Sequence, residues 1–341
     1  FTNSTIVGND ARREGGGLWN QTGATLNVNN CTIDANTASG PDATHGGGGI
    51  FNNGGTLAIN SSTLSNNVVD GALGNGGGLH VKTGSATILT STFSGNSSLA
   101  NGGGIYSNAS LNVNASTVAD NNAVNGGGIY NNSATPAVLK NTISATNSAT
   151  MGTDVWSLAN GFTSGGYNLI GSDDASVFTA IASDIEGGAT AVDPLLGPLA
   201  NNGGTTFTHA LLTGSPAYNT GDPADLFNDQ IGMGVFGGIR DIGAYEAQSQ
   251  LGIDDVATGN LKRSRVFPNP SKGLVTVELT EAFSGVVNAR LIDMASGKVV
   301  REFTINETSS QLRLDGNATG IYVLQLQSEG LNENHKLVIT N

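Results

Sequence analysis

Cutting a polysaccharide takes one of two residue sets. A hydrolase needs two facing carboxylates. A lyase needs an Arg or Lys that takes a proton, often beside carboxylates that hold Ca²⁺. Over residues 1–150 the basic side chains are Arg12, Arg13, Lys82 and Lys140. The acids there are Asp10, Glu14, Asp34, Asp42, Asp70 and Asp120, and none recurs at equivalent places along the chain. Asp10, Arg12, Arg13 and Glu14 cluster just before a glycine turn and read as a solvated loop. His45, His80, His209 and His335 are scattered without metal-ligand spacing and read as packing or surface groups. Asp222, Asp225 and Asp229 fit neither the EF-hand loop nor the calcium-binding nonapeptide, so an Asp/Pro turn is expected, with a bound calcium as the alternative. Glycine triplets abound, but no Gly-Lys-Ser/Thr follows them, so they are not phosphate loops. No catalytic residue, metal ligand or cofactor emerges from the sequence.

The elements that would position such groups are unusually regular. Five copies of one phrase mark the first half: Gly15-Gly16-Gly17-Leu18-Trp19, Gly47-Gly48-Gly49-Ile50-Phe51, Gly76-Gly77-Gly78-Leu79-His80, Gly102-Gly103-Gly104-Ile105-Tyr106 and Gly126-Gly127-Gly128-Ile129-Tyr130. A second mark is Thr followed by an apolar residue: Thr5-Ile6, Thr32-Ile33, Thr63-Leu64, Thr92-Phe93, Thr117-Val118 and Thr142-Ile143. Three residues further comes Asn9, Asn36, Asn67, Asn96 or Asn121, and the sixth copy breaks this with Thr146. An alternating pair precedes each Thr from Thr32 onward: Leu26/Val28, Leu57/Ile59, Ala86/Ile88, Leu111/Val113 and Pro136/Val138.

A period drifting between the twenties and low thirties means a solenoid. Each repeat holds three short segments with period-two alternation, separated by Gly and Asn that suit positive φ. Glycine, Asn and β-branched residues disfavour helix. The fold class expected is all-β: a right-handed, single-stranded parallel β-helix, with regular rungs over 1–150. One rung cannot bury its own faces, so stacking is obligatory. The Asn series is expected to form a ladder of inward amides. An outward Thr ladder would suit ice binding, a minor alternative weakened by irregular neighbours at Asn27, Ala58, Thr87 and Asn112. Over 151–247 the period fades into irregular rungs and an expected cap over the open end of the shaft.

Composition bounds the partners. The chain of 341 residues carries a formal charge of −13 with only 14 Lys and Arg, which argues against nucleic acid and anionic membranes. Cys31 is the sole cysteine, so no intramolecular disulfide forms. It stands where other repeats carry Ser62, Ser91 and Ser116 and reads as a small buried filler. No apolar run reaches membrane-spanning length and no signal peptide is visible. The chain opens in mid-repeat, so the true N-terminus is expected to lie upstream.

The glycine phrases, with Asn168-Leu169-Ile170-Gly171, Asp193-Pro194-Leu195-Leu196-Gly197-Pro198-Leu199, Gly214-Ser215-Pro216-Ala217 and Arg240-Asp241-Ile242-Gly243-Ala244-Tyr245-Glu246, resemble bacterial choice-of-anchor Q domain proteins over about 1–247. That resemblance implies a surface β-helix and says little about activity. Past residue 250 the glycine runs stop. Residues 248–264 read as a linker, and 265–341 as six or seven short strands forming a small antiparallel Ig-like β-sandwich. Val266-Phe267-Pro268-Asn269-Pro270 with Gly273, Leu291-Ile292-Asp293 with Gly297-Lys298-Val299-Val300, Gly320-Ile321-Tyr322-Val323-Leu324 and Lys336-Leu337-Val338-Ile339 resemble the type A sorting domain of the type IX secretion system. The resemblance implies a Bacteroidota-type host and export across the outer membrane. It implies Pro268, Asn269, Pro270, Gly273, Gly297, Gly320, Tyr322 and Lys336 as secretion-signal residues. It also implies cleavage in the linker and anchoring to surface lipopolysaccharide, or release. The sequence thus points to a secreted or cell-surface, non-enzymatic, adhesin-like binding or structural shaft with an unknown glycan or protein ligand. The alternative is a carbohydrate-active β-helix enzyme, a polysaccharide lyase or hydrolase.

Overall fold

The computed structural model describes residues 1–341 except 159, 175, 176, 189, 249–263, 280–285, 295–297, 315, 317, 329, 330 and 341. The expected linker therefore lies outside the described residues apart from Gln248 and Ser264, as does Gly297. The chain divides into two compact units, Phe1–Gln250 and Leu251–Asn341. Regular structure among the described residues is all strand.

The first unit is a parallel β-helix. Its threonine segments stack as an eight-stranded parallel sheet that begins at Thr5–Val7 and continues through Thr32–Asp34, Thr63–Ser65, Thr92–Ser94 and Thr117–Ala119 to Ile185–Glu186. The glycine-phrase segment and the alternating pair, expected as separate strands, share one eleven-stranded sheet. In two coils they run together as Ile50–Asn60 and Leu79–Leu89. A narrow third face, Asp10–Ala11, Thr37–Ala38, Val68–Val69 and Ser97–Ser98, follows each Asn. Like residues lie above like. Ile33 pairs with Leu64, Leu64 with Phe93 and Phe93 with Val118, and all four are fully buried. Each such burial contributes about 1.5–3 kcal/mol.

The glycine triplets have two separate causes. Their first members, Gly15, Gly47, Gly76, Gly102 and Gly126, all have φ between 62° and 72°. Their second and third members lie too close to the next coil for a side chain. A Cβ on Gly103 would sit 2.5 Å from the carbonyl oxygens of Asn122 and Gly127. The N–H groups of these glycines donate to the next coil, as from Gly103 to Gly126 O at 3.1 Å, so they cradle no anion.

The asparagines form the expected inward ladder. Asn9 Nδ2 donates to Asn36 Oδ1 at 2.8 Å, and the series continues through Asn67, Asn96 and Asn121 at 2.9 Å per step. The sixth coil corrects the sequence reading by one residue. Thr117 pairs with Ile143 rather than Thr142, and Val113 pairs with Leu139 rather than Val138. A one-residue slip exchanges faces. Ala137 and Leu139 therefore replace Pro136 and Val138 as the inward pair, and Asn147 replaces Thr146 in the ladder. Asn121 Nδ2 donates to Asn147 Oδ1 at 2.9 Å, and Asn147 Nδ2 donates to Asp154 Oδ1 at 2.8 Å. Thr142 instead joins the serine column, its Oγ1 donating to Lys140 O as Ser116 Oγ donates to Asn114 O. Cys31 belongs to the same column, fully buried, with its N–H donating to Ser62 Oγ at 3.0 Å.

The second unit holds two antiparallel sheets. One comprises Ser264–Phe267, Leu274–Leu279 and Ser309–Arg313; the other Val299–Ile305, Val287–Asp293, Gly320–Ser328 and Leu331–Ile339. Val275, Val277, Ala289, Leu291, Leu324, Leu326 and Leu337 form its core.

Candidate functional site

Three of the outward threonines are covered, while Thr5 is exposed and Thr32 half-buried. Thr63, Thr92 and Thr117 are at most 2% exposed, because residues 193–247 lie against them. Thr63 Oγ1 donates to Phe207 O at 2.6 Å, and Thr92 Oγ1 donates to Gln230 Oε1 at 2.6 Å. Gln230 Nε2 returns bonds to Thr63 Oγ1 and Thr206 Oγ1, both at 2.9 Å. Thr117 Oγ1 accepts the Ala244 N–H at 3.0 Å. His209 Nε2 lies 2.9 Å from Ser94 Oγ and its Nδ1 lies 2.7 Å from Gly197 O. In the next two coils the outward Thr becomes Ile143 and then Leu169, which pack with Ala217 and Ile242. The contacts of 193–247 thus run along the side of the shaft, where a cap over its end was expected. At Thr63, Thr92 and Thr117 they leave no open Thr ladder of the kind ice binding requires.

Buried carboxylates hold this side strap in shape. Asp229 accepts the N–H groups of Ile231, Met233 and Glu246 at 2.7–3.0 Å. Asp241 accepts those of Asn219 and Ala247, and Glu246 those of Phe236 and Asp241. Arg240, 1% exposed, donates from Nη1 to Phe227 O and lies over the Phe227 ring at 4.3 Å. Burial raises all three carboxyls above their ordinary range, Glu246 to about 7. These acids are spent on backbone N–H groups rather than turned to solvent.

Asp222 and Asp225, weighed above as calcium ligands, hold an ammonium of the chain itself. Lys140 Nζ is 2.8 Å from Asp222 Oδ2 and 3.0 Å from Asp225 Oδ2. The hydrogen bond from Lys140 lowers Asp222 below the usual carboxylate range. Asn141 adds a bond to each: its Nδ2 donates to Asp225 Oδ2 at 2.7 Å, and its Oδ1 accepts the Asp222 N–H at 2.8 Å. Asp229 stays apart in the carboxylate cluster. No group of three or more His, Cys, Asp or Glu positioned for a metal occurs among the described residues.

The histidines are not brought together. His80 is fully buried in an aromatic column, with ring centroids 4.8 Å from Phe51 and 4.9 Å from Tyr106. Desolvation lowers its pKa to about 3, so it stays neutral. His45 accounts for part of the loop read as solvated, since Arg13 Nη2 lies 3.0 Å from its Nε2. Its Nδ1 is 3.7 Å from Asp42 Oδ2, and Glu14 Oε2 nearby in sequence to Arg13 is buried without a hydrogen-bond partner. His335 Nε2 meets Ser264 Oγ at 2.7 Å in the second unit.

Beside the side strap opens a groove of about 650 Å³. Asn30, Asn60, Ser61 and Thr90 line it from the shaft, and Thr205, Phe227 and Asn228 from the strap.

In the second unit Asn269, Gly320 and Tyr322 bond or pair with the strand Leu331–Ile339. Asn269 Nδ2 donates to Lys336 O at 2.6 Å, while its Oδ1 accepts the Val338 N–H at 2.8 Å. Pro268 and Pro270 flank it and are exposed. Ser271 N–H donates to Val338 O, and the Thr340 N–H to Ser271 O. Gly273, with φ of 102°, donates its N–H to Ser271 Oγ and accepts the Leu314 N–H. Gly320 and Tyr322 pair with Ile339 and Leu337, and Tyr322 OH donates to Ala318 O at 2.8 Å. The sequence pattern contained Asn269, Gly320 and Tyr322 but not their shared target.

Residues 265–340 match the family model described as a secretion system C-terminal sorting domain. The chain carries a type IX sorting module, which implies interaction with that machinery and export to the cell surface or beyond it. A search of curated proteins finds no match to the chain.

Proposed function

We propose that this exported cargo is a non-enzymatic binding or structural shaft, adhesin-like in role. One observation carries the reading. Most of the residues that repeat from coil to coil are consumed internally: the ladder asparagines by one another, Thr63, Thr92 and Thr117 by the side strap, and Phe51, His80, Tyr106 and Tyr130 by one another. The three buried acids of the strap serve backbone N–H groups in the same way. Incubating the purified chain with polyuronates and other acidic glycans, with and without Ca²⁺, tests this. Unchanged glycans are expected, and new reducing ends or unsaturated products would contradict it.

A second reading, a carbohydrate-active enzyme, draws on the Arg13–His45 pair with Asp42 and the unpartnered Glu14 Oε2. His45→Ala abolishing such products would favour it.

Pro268, Asn269, Pro270, Gly273, Gly297, Gly320, Tyr322 and Lys336 are the residues we assign to the secretion signal. The grip of Asn269 on the final strand supports this for the first of the motifs. The linker 248–264 is the proposed point of release, followed by attachment to surface lipopolysaccharide or loss to the medium. A Bacteroidota-type host and a choice-of-anchor Q type shaft over 1–247 rest on the resemblances alone.

A further inference from the structure

We infer that the groove between the shaft and the side strap binds an uncharged saccharide. This names the ligand class of the binding role proposed above and rests on that role. The floor is a column of equivalent corner residues. Asn30, Ser61 and Thr90 close successive coils with φ of 52°, 47° and 44°. At ~4.8 Å per coil they span about 10 Å, with the Asn30 amide and the Ser61 hydroxyl half-buried and Thr90 buried behind them. Thr205, Asn228 and the Phe227 ring face them from the strap.

The lining decides the ligand class. Asp229 is its one acid, and that carboxylate already accepts three backbone N–H groups from Ile231, Met233 and Glu246. Arg240 lies at the Phe227 ring and is 1% exposed, so its charge does not reach the opening. An ionic ligand would lose water here without gaining a counter-charge. A neutral sugar replaces its water by amide and hydroxyl partners and can lay an apolar face on an aromatic ring. Ser61 Oγ and Thr90 Oγ1 lie 3.1 Å apart and bond each other; Thr90 is buried, so Ser61, half-buried, is the hydroxyl with acceptor capacity left for a ligand. The rung spacing suits a short linear chain better than a single ring.

The test titrates the full chain with neutral gluco-, manno-, xylo- and galacto-oligosaccharides, with polyuronate and sulfated oligosaccharides as the charged set. Two variants probe the groove. Thr205→Trp fills it from an exposed strap position, and Asn30→Asp puts a carboxylate on its floor at a corner that Asp tolerates. Binding of at least one neutral oligosaccharide is expected, weakened at least about tenfold by each variant, with unchanged unfolding midpoints. Three outcomes would overturn the assignment: no neutral ligand up to millimolar concentration, preference for the charged set, or binding unaltered by both variants. In the last case the shaft still binds glycan, elsewhere, and the proposed role survives without this site. Products of cleavage would instead remove that role along with the groove.

Discussion

The asparagine amides of the inward ladder are used in one direction. Each Nδ2 donates to the Oδ1 of the following coil, so the last amide needs an acceptor that requires nothing in return. Asp154 supplies it, accepting both the N–H and the Nδ2 of Asn147. Asn168 and Asp184 repeat the arrangement at the end of the serine column. The ladder itself was legible, because its members recur three residues past an apolar mark. Its last member was not, because one residue had been added in the fifth coil and a strict count lands on Thr146. Asn147→Ala strands several buried groups and is expected to lower stability by about 2–4 kcal/mol, whereas Thr146→Ala should change it by less than about 1 kcal/mol, as read by urea unfolding. The reverse ranking would restore the sequence register.

Burial also sets a pH dependence at this scale. Asp154 is raised from 3.8 to about 6, and Glu246 from 4.5 to about 7, in each case chiefly by desolvation. The folded state therefore holds these protons more tightly than the unfolded chain. Their stabilising contribution is complete below about pH 4 and is lost as the pH rises through 6 to 7. The thermal midpoint should fall between about pH 5 and about pH 8. Glu246→Gln should flatten that slope, and an equal slope in the variant would place the effect elsewhere.

Among elements, the side strap was the least legible. An outward Thr column reads the same whether it faces water or another segment. The only hint was the change from Thr to Ile143 and Leu169 in the last coils, where the outward column turns apolar. The closing phrase Arg240–Glu246 was recognisable, yet its purpose depends on contacts with Thr117 and Asn141, over a hundred and about a hundred positions earlier in the chain. Gln230 joins Thr63, Thr92 and Thr206 and so fastens strap to sheet. Gln230→Ala is expected to cost about 1–3 kcal/mol. Limited proteolysis should then cut within 193–247 first, with the β-sheet circular dichroism of the shaft retained. Simultaneous loss of both would mean that strap and shaft do not separate. In the sorting module the strands were read well from alternation, but Ser264–Phe267 and Ser309–Arg313 were not singled out as strands. Their exposed, polar-rich faces carry little period-two signal. Asn269→Ala removes both clamps on the final strand, and a several-fold fall in exported protein at equal expression is the expected result.

At the scale of the whole molecule, the repeats marked the solenoid and a change in composition near residue 250 marked a charge-richer stretch with different turns, whose role came only from its resemblance to sorting domains. Repetition made the fold readable, since one well-understood coil describes its neighbours. Function was harder to read, because most repeated positions hold the coil together and a ligand must find a place where corner residues lie beside a stretch that does not repeat. The groove beside the strap is such a place. The claim on which the rest depends is that the C-terminal module carries this shaft out of the cell. Fractionating cells that express the full chain or a version lacking residues 265–341 measures it directly. The full chain should appear at the surface or in the medium and the shortened one should stay within the envelope, folded; equal export of both would contradict the account.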